Sequence, residues 1–567
     1  MRLKLAILCT LFAIPGVLPL FALTGGKGSS TAQEQINDAG LRLRAVAVAT
    51  ASAESIRADS SPVLRLGMNE ADPGNLDPHF AAARQDRLVA DMVFNGLLRY
   101  VPGNSNLIEP DIAESLPDSE IVDGRQTWTF KLRCGVMFHA GPKTPAYELT
   151  ADDVVYSLKK SADPARSAYA GEYTGMTFSQ VDDHTVRIVL EKPLSSTLFL
   201  PKMTNYSGGF IVSRKAIEAM GEQESHTHPV GTGPFVFDDY YKADKKIRLA
   251  ANRQYFRGPP LLDGVEILYL SDEACRDHGL QTGQLDVVEG LEETDWVERM
   301  EKEPDIRVDI FGVGEVATVY FNMASRPLDD VRVRKAIAYS LDRNELLALW
   351  GERICGNVYS PVPAQFLPGG LTEKEVKALD LDYAFNPGKA LQLLAEAGYP
   401  NGFSLEVVTS EMNLYRRISE RIKIQLARIG IDLRLGIVEH PIMHRMIRRN
   451  VSPLVVYIPW RPNADAFLTR FFHSDSIVVT GAKPDTNFSH YDKIDRLIEA
   501  ARLEIDPEKQ VELWKHAQIK LLDDMAAFPL HYINLVYARG ARVDYGHRLV
   551  SSMALYPQIT EKTRIMK

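Results

Sequence analysis

The 567-residue chain lacks the features that mark several protein classes. It has only four cysteines, Cys9, Cys134, Cys275 and Cys355, too few and too dispersed for a disulfide scaffold or a CxxC metal site. No GxxxxGK(S/T) phosphate loop, GxSxG nucleophile elbow or HExxH metal helix occurs. Gly (38) and Pro (32) are near ordinary globular usage, which excludes a collagen-like or low-complexity chain. Cations are not in excess: the net charge is −9, so nucleic acid is not an expected partner. What is left is a large acidic globular protein, long enough for two to four domains.

The first sixty residues differ from the rest. Arg2 and Lys4 precede Leu5–Leu23, nineteen residues without a charge, followed by a small polar stretch. This order reads as a secretory signal, with a retained membrane anchor as the alternative. Pro15 and Pro19 weaken a continuous spanning helix, because each removes a backbone donor. Residues 24–61 contain no aromatic residue and read as a flexible leader or tether.

From Pro62 onward, strand and helix patterns alternate irregularly, which implies an α/β protein with more than one sheet. Trp128–Leu132, Val186–Leu190 and Ile431–Ile437 alternate apolar and polar residues as half-buried strands do. Thr150 followed by Asp153 predicts a capping box. Asn386-Pro387 opens a helix that Gly398 and Pro400 close, and Asp506-Pro507 starts another. Gly312-Val-Gly-Glu-Val-Ala317 matches a dinucleotide string but is flanked by strand patterns on both sides, so it is read as a turn.

His440 and His444 with Glu439, and the pair His226 and His228, could face a metal, but neither set shows a third or fourth ligand. Solvated histidines are the simpler reading, and no metal or other cofactor is expected. Cys134, Cys275 and Cys355 allow one disulfide after export or three separate thiols. Nothing assembles a nucleophile, a base and an oxyanion site, so no enzyme activity is expected.

A series of strings in order carries more information. These are Asn75-Leu-Asp-Pro-His79, Phe130-Lys-Leu-Arg-Cys-Gly-Val-Met-Phe-His-Ala-Gly141, Leu149-Thr-Ala-Asp-Asp-Val154, Gly231-Thr-Gly-Pro-Phe235 and Asn252-Arg-Gln-Tyr-Phe256. Leu280–Val287, Asp330–Arg334, Ala395–Pro400 and Asn487-Phe-Ser489 follow. Together they resemble the family 5 extracytoplasmic solute-binding proteins of ABC importers, the dipeptide/oligopeptide-binding class, over about residues 62–545.

That resemblance implies a two-lobe periplasmic-binding-protein (Venus flytrap) fold of the type II/cluster C kind, with an extra domain. Lobe I would comprise residues 62–98, 229–314 and 526–567, the extra domain 99–228, and lobe II 315–525. Hinge crossings fall near Gly312–Glu315 and Met525–Phe528. It further implies a periplasmic monomer that captures a peptide or peptide-like solute between the lobes and hands it to the membrane subunits of an ABC permease.

Family peptide binders place an Asp after a lobe-II strand to hold the peptide ammonium. Here Trp460 or Arg461 occupies that place, and Asp465 falls later. Arg461 could grip a carboxylate or phosphate and Trp460 could cover a ligand face; a core Trp460 beside a solvated Arg461 is the competing reading. The expected ligand-binding set is Tyr457, Trp460, Arg461, Asp465, Phe80, Ala82, Arg84, His531 and Tyr532, for an anionic or modified solute such as a sugar-phosphate conjugate, opine or acylated peptide. Rival readings on the same fold are a metal or metallophore binder using His440 and His444, and an extracytoplasmic hydrolase or chaperone.

Overall fold

A computed structural model describes residues 62–567 apart from Ala82 and Ser207. The expected signal and tether, residues 1–61, lie outside the described residues.

The backbone is organised on a nine-stranded sheet. Its N-terminal strand, Val63–Met68, buries Leu64, Leu66 and Met68 completely. It pairs in parallel with Gly264–Tyr269 on one side and Val287–Glu289 on the other. The chain therefore crosses over Val63–Met68, the kind of switch point at whose carboxyl end open α/β sheets bind ligands.

Two long antiparallel strands, Ile306–Phe321 and Ala527–Gly540, extend the sheet, and Leu454–Tyr457 adds to its edge. Their register jumps from Phe311↔Leu535 to Glu315↔Ile533. This corrects the sequence reading of Gly312–Ala317 as a turn: both halves pair with one partner, so the chain runs on as a single strand with a bulge. Gly312 is needed there, because a Cβ would come 2.1 Å from the Phe366 ring.

A separate core lies in the segment expected as an extra domain. Its four-stranded sheet orders Asp118–Val122, Arg125–Lys131, Thr185–Leu190 and Met176–Asp182. Arg125–Lys131 alternates as the sequence implied, sending Trp128 and Phe130 inward, where Trp128 stacks on Phe199 at 4.4 Å. Helix Ala151–Ser161 covers this sheet and begins with the predicted Thr150/Asp153 capping box. Farther along, Phe403–Ser410 and Ile431–Val438 form a parallel pair joined by helix Asn413–Ala427.

Several of the ordered motifs are joints between these parts. Lys160, at the end of the Ala151–Ser161 helix, donates to both Asp77 oxygens (2.7 and 3.0 Å), while His79 Nε2 bonds the Phe210 carbonyl at 2.9 Å. His139 bonds the carbonyls of Gly231 and Gly233 through its backbone and ring nitrogens. Those glycines lie under helix Arg84–Val93: a Cβ on either would come within 2.1–2.5 Å of the Val93 or Met92 carbonyl oxygen. The motifs thus fix the C-terminal end of this helix. Cys134 is exposed and Cys355 buried, and neither is in a disulfide.

Candidate functional site

Helix Arg84–Val93 is amphipathic, and its buried face carries Arg87 beside Leu88 and Val89. Arg84 and Arg87 are three residues apart, so they share one face about 4.5 Å apart along the axis. Arg87 is only 8% exposed, and among the described residues no carboxylate pairs with it. Instead its guanidinium lies 5.5 Å from the Tyr206 ring and 6.0 Å from the Trp460 ring, within cation–π range.

Tyr206 and Trp460 meet edge to face at 5.0 Å. One lies in the segment expected as the extra domain and the other in the loop after strand Leu454–Tyr457, so the contact joins parts of the chain 254 positions apart. Ser195 Oγ donates to Gln510 at 2.8 Å, a fully buried contact with helix Pro507–Asp523. The Trp460 Nε1 atom is buried without a partner.

Arg461 follows Trp460. Its Nη1 donates to the Trp460 carbonyl at 2.7 Å, its guanidinium sits 4.9 Å from the Phe471 ring, and its buried Nε has no partner. Burial, and then Arg470 nearby, hold its pKa below the usual arginine range. No carboxylate lies within ion-pair distance of it among the described residues. Arg461, Trp460 and Tyr206 line a cavity of about 690 Å³ with Tyr169, Lys202 and Arg470. Two acids also face this cavity, but both have partners: Glu172 pairs with Lys202, and Asp465 with Arg502 at 3.3 Å. The cavity therefore presents Arg461 with no counter-charge of its own.

The charged groups around Arg84 are acidic. Glu289, at the end of its strand, accepts from Arg84 at 2.5 Å. Glu292 and Glu315 also act on Arg84. Burial raises both carboxyls, Glu292 to about 7, with repulsion from Glu289 and Glu315 adding to it. Burial and Glu289 likewise raise Glu70. Val316 donates its backbone N–H to the Pro459 carbonyl at 3.0 Å, which ties the strand carrying Glu315 to the Trp460 loop.

Of the residues expected from sequence, Trp460, Arg461 and Asp465 line the cavity, and Arg84 pairs with Glu289. Tyr457 points into an aromatic core with His444, Phe471 and Phe488. Phe80 packs on His226 and Lys160. His531 is fully buried with neither ring nitrogen bonded. Tyr532 packs on Phe366 at 5.0 Å, and Ala82 lies outside the described residues. Sequence reasoning missed Arg87, Tyr206, Glu292 and Glu315.

His440 and His444 bring their Nε2 atoms to 2.9 Å. Arg448 Nη1 lies 2.9 Å from His444 Nδ1, and a guanidinium can only donate, so that nitrogen accepts. His444 then carries its proton on Nε2 and donates it to His440, which in turn donates from Nδ1 to Ser410 at 3.1 Å. The two nitrogens a metal would need are engaged with each other.

Comparison with known proteins places these features. Residues 108–479 match the family model of bacterial extracellular solute-binding proteins, family 5. A solved structure of MoaA from A. tumefaciens, a periplasmic binding protein in complex with mannopinic acid, is 36% identical. It superposes with a TM-score of 0.74, over 90% of this chain and 100% of that one. Di/tripeptide-binding protein 2 of Pseudomonas aeruginosa is 27% identical over 538 residues, 90% of this chain and 96% of that protein. Heme-binding protein A of Haemophilus influenzae is 32% identical over 364 residues, a match spanning 60% of this chain and 64% of that protein, less than two thirds of its length. The chain belongs to the bacterial extracellular solute-binding proteins of family 5.

Proposed function

We propose that this protein captures a small anionic solute, bearing a carboxylate or phosphate, between its two lobes and delivers it to an ABC permease. The observation that carries this reading is Arg461, a largely enclosed guanidinium without a carboxylate partner, on the wall of the cavity that the Tyr206–Trp460 contact closes. An unpaired buried cation is costly, and an incoming anion would relieve that cost. Arg87, also without a carboxylate, supports it from the first lobe. A ligand drives closure only through its preference for the closed state, and bridging both lobes supplies that preference. The bulge at Gly312 is where the long strands would bend.

The bound mannopinic acid of the Agrobacterium protein agrees with an anionic, modified solute, whereas the Pseudomonas relative is named for di- and tripeptides. The Arg448–His444–His440–Ser410 proton arrangement weighs against the metal-binding rival. A thermal-shift screen of di- and tripeptides, acylated peptides, sugar phosphates and mannopinic acid tests the reading. Stabilisation by anionic solutes that Arg461→Ala removes is expected; robust stabilisation by unmodified peptides, unaffected by Arg461→Ala, would overturn it.

A further inference from the structure

The histidines before Pro229, without further ligands in the sequence, gain them in the fold. Among the described residues, Asp77, Glu222 and His226 are the one group of three metal-ligating side chains whose donor atoms all lie within 4.8 Å of one another. Glu222 and His226 are four apart across a single helical turn, Glu222–Ser225, so they share a face. Asp77 reaches them from the opening Asn75–His79 motif. His228 turns away, to Thr227 Oγ1 at 3.0 Å and the Phe237 ring.

The geometry is that of ligands to one ion rather than of a hydrogen-bonded pair. His226 Nε2 stands 3.2 Å from Asp77 Oδ2, yet this atom is buried and makes no bond of hydrogen-bonding geometry. Two donors each about 2.0–2.1 Å from a tetrahedral zinc ion stand about 3.3 Å apart, so the observed separation is one edge of such a site. The side chains are also braced from behind, as metal ligands are. Asp77 Oδ1 accepts from the His79 backbone N–H and from Lys160, the Phe80 ring meets the His226 ring at 5.5 Å, and Arg166 bonds Glu222 Oε1. Lys160 is fully buried and remains the counter-ion of Asp77. Arg166 and Glu222 are both partly exposed, and such a pair is worth under about 1 kcal/mol. When a metal takes Glu222, Arg166 keeps its bond to Tyr156 OH at 2.7 Å.

We propose that Asp77, Glu222 and His226 bind one zinc ion, with water in the fourth position. One imidazole and two carboxylates without a thiolate do not suit copper(I), and the nitrogen ligand disfavours calcium and magnesium. None of the three residues lines the solute cavity, so the ion is not the cargo: it ties the opening motif to the chain just before Pro229. The inference stands apart from the anionic-solute reading and neither needs the other.

Zinc titration of the untagged, chelator-treated full chain tests this. One equivalent should bind, and His226→Gln or Glu222→Gln should each weaken it about tenfold or more. Both side chains are partly exposed, so the variants should fold and melt close to the wild type in the absence of zinc. The double variant His440→Gln/His444→Gln should bind zinc as the wild type does, and calcium should not compete. Zinc-edge X-ray absorption of the loaded wild type should show a single imidazole among oxygen ligands at about 2.0–2.1 Å. No bound equivalent, binding indifferent to both His226→Gln and Glu222→Gln, or a two-imidazole shell that disappears with His440 and His444 overturns the site.

Discussion

Replacing Arg461 with methionine should change affinity and stability in opposite directions. The side chain donates one bond to its neighbour's carbonyl, rests on the Phe471 ring and leaves Nε unbonded, with no acid to balance its charge. Methionine keeps most of the stem and its contact with Phe471 while removing the buried charge. In the free protein the lost bond costs about 1 kcal/mol, and relief of burying an unpaired guanidinium offsets it or exceeds it. The melting temperature of the ligand-free variant should therefore hold or rise. In the complex, loss of the charge-assisted bonds to the solute costs about 3 kcal/mol, on the order of a hundredfold in Kd. Calorimetric titration gives the second quantity and differential scanning calorimetry the first. A variant that binds normally, or one that loses several degrees of melting temperature without a ligand, would refute the reasoning: the first result denies the ion pair, and the second makes Arg461 structural.

Truncating the closing contact should act on binding alone. Trp460→Ala or Tyr206→Ala removes an edge-to-face pair worth about 1 kcal/mol and should weaken the solute by roughly fivefold, with the loss in the dissociation rate seen by stopped flow. Lys160→Met removes the buried cation that pairs with Asp77, leaving that carboxylate only the His79 backbone N–H and His226 at 3.2 Å, and chemical denaturation should show a loss of about 3 kcal/mol. Acid should destabilise the fold through its buried rings. His531 (pushed down to about 3) and His139 (to about 4) stay neutral when folded, whereas the unfolded chain protonates them near pH 6.5. Between pH 6.5 and 4 the unfolded state binds more protons, so stability falls on acidification by about 1.4 kcal/mol per pH unit for each ring. His531→Phe should flatten the pH dependence of denaturation by one ring's share; an unchanged slope would contradict the assignment.

Local structure was legible where one residue decides it. The Thr150/Asp153 capping box, the alternation of Arg125–Lys131 and the Asn386-Pro387 start each follow from a neighbour-scale rule. The ordered motifs were legible too, but their physical meaning was not: Asp77, His139, Gly231 and Gly233 are packing joints brought together from up to 156 positions apart. Gly312–Ala317 was misread because only the pairing partner, absent from local sequence, keeps the chain extended through a bulge.

At the site, the loop position of Trp460 and Arg461 could be read by register along the chain. Tyr206 could not, since nothing around it distinguishes it from other loop tyrosines. Arg87 left little trace: Arg84 and Asp91 share its face at i−3 and i+4, so the sequence shows a polar stripe there and only the fold shows Arg87 buried. Glu292, just past strand Val287–Glu289, and Glu315, at the bulge of strand Ile306–Phe321, carry meaning only once the fold sets both in the field of Arg84.

The most direct test of solute capture is native mass spectrometry of the freshly purified full chain beside its Arg461→Met variant. The account predicts that the wild-type protein retains a low-mass anionic molecule and the variant loses it. An uncharged molecule, retained equally by both, would contradict it.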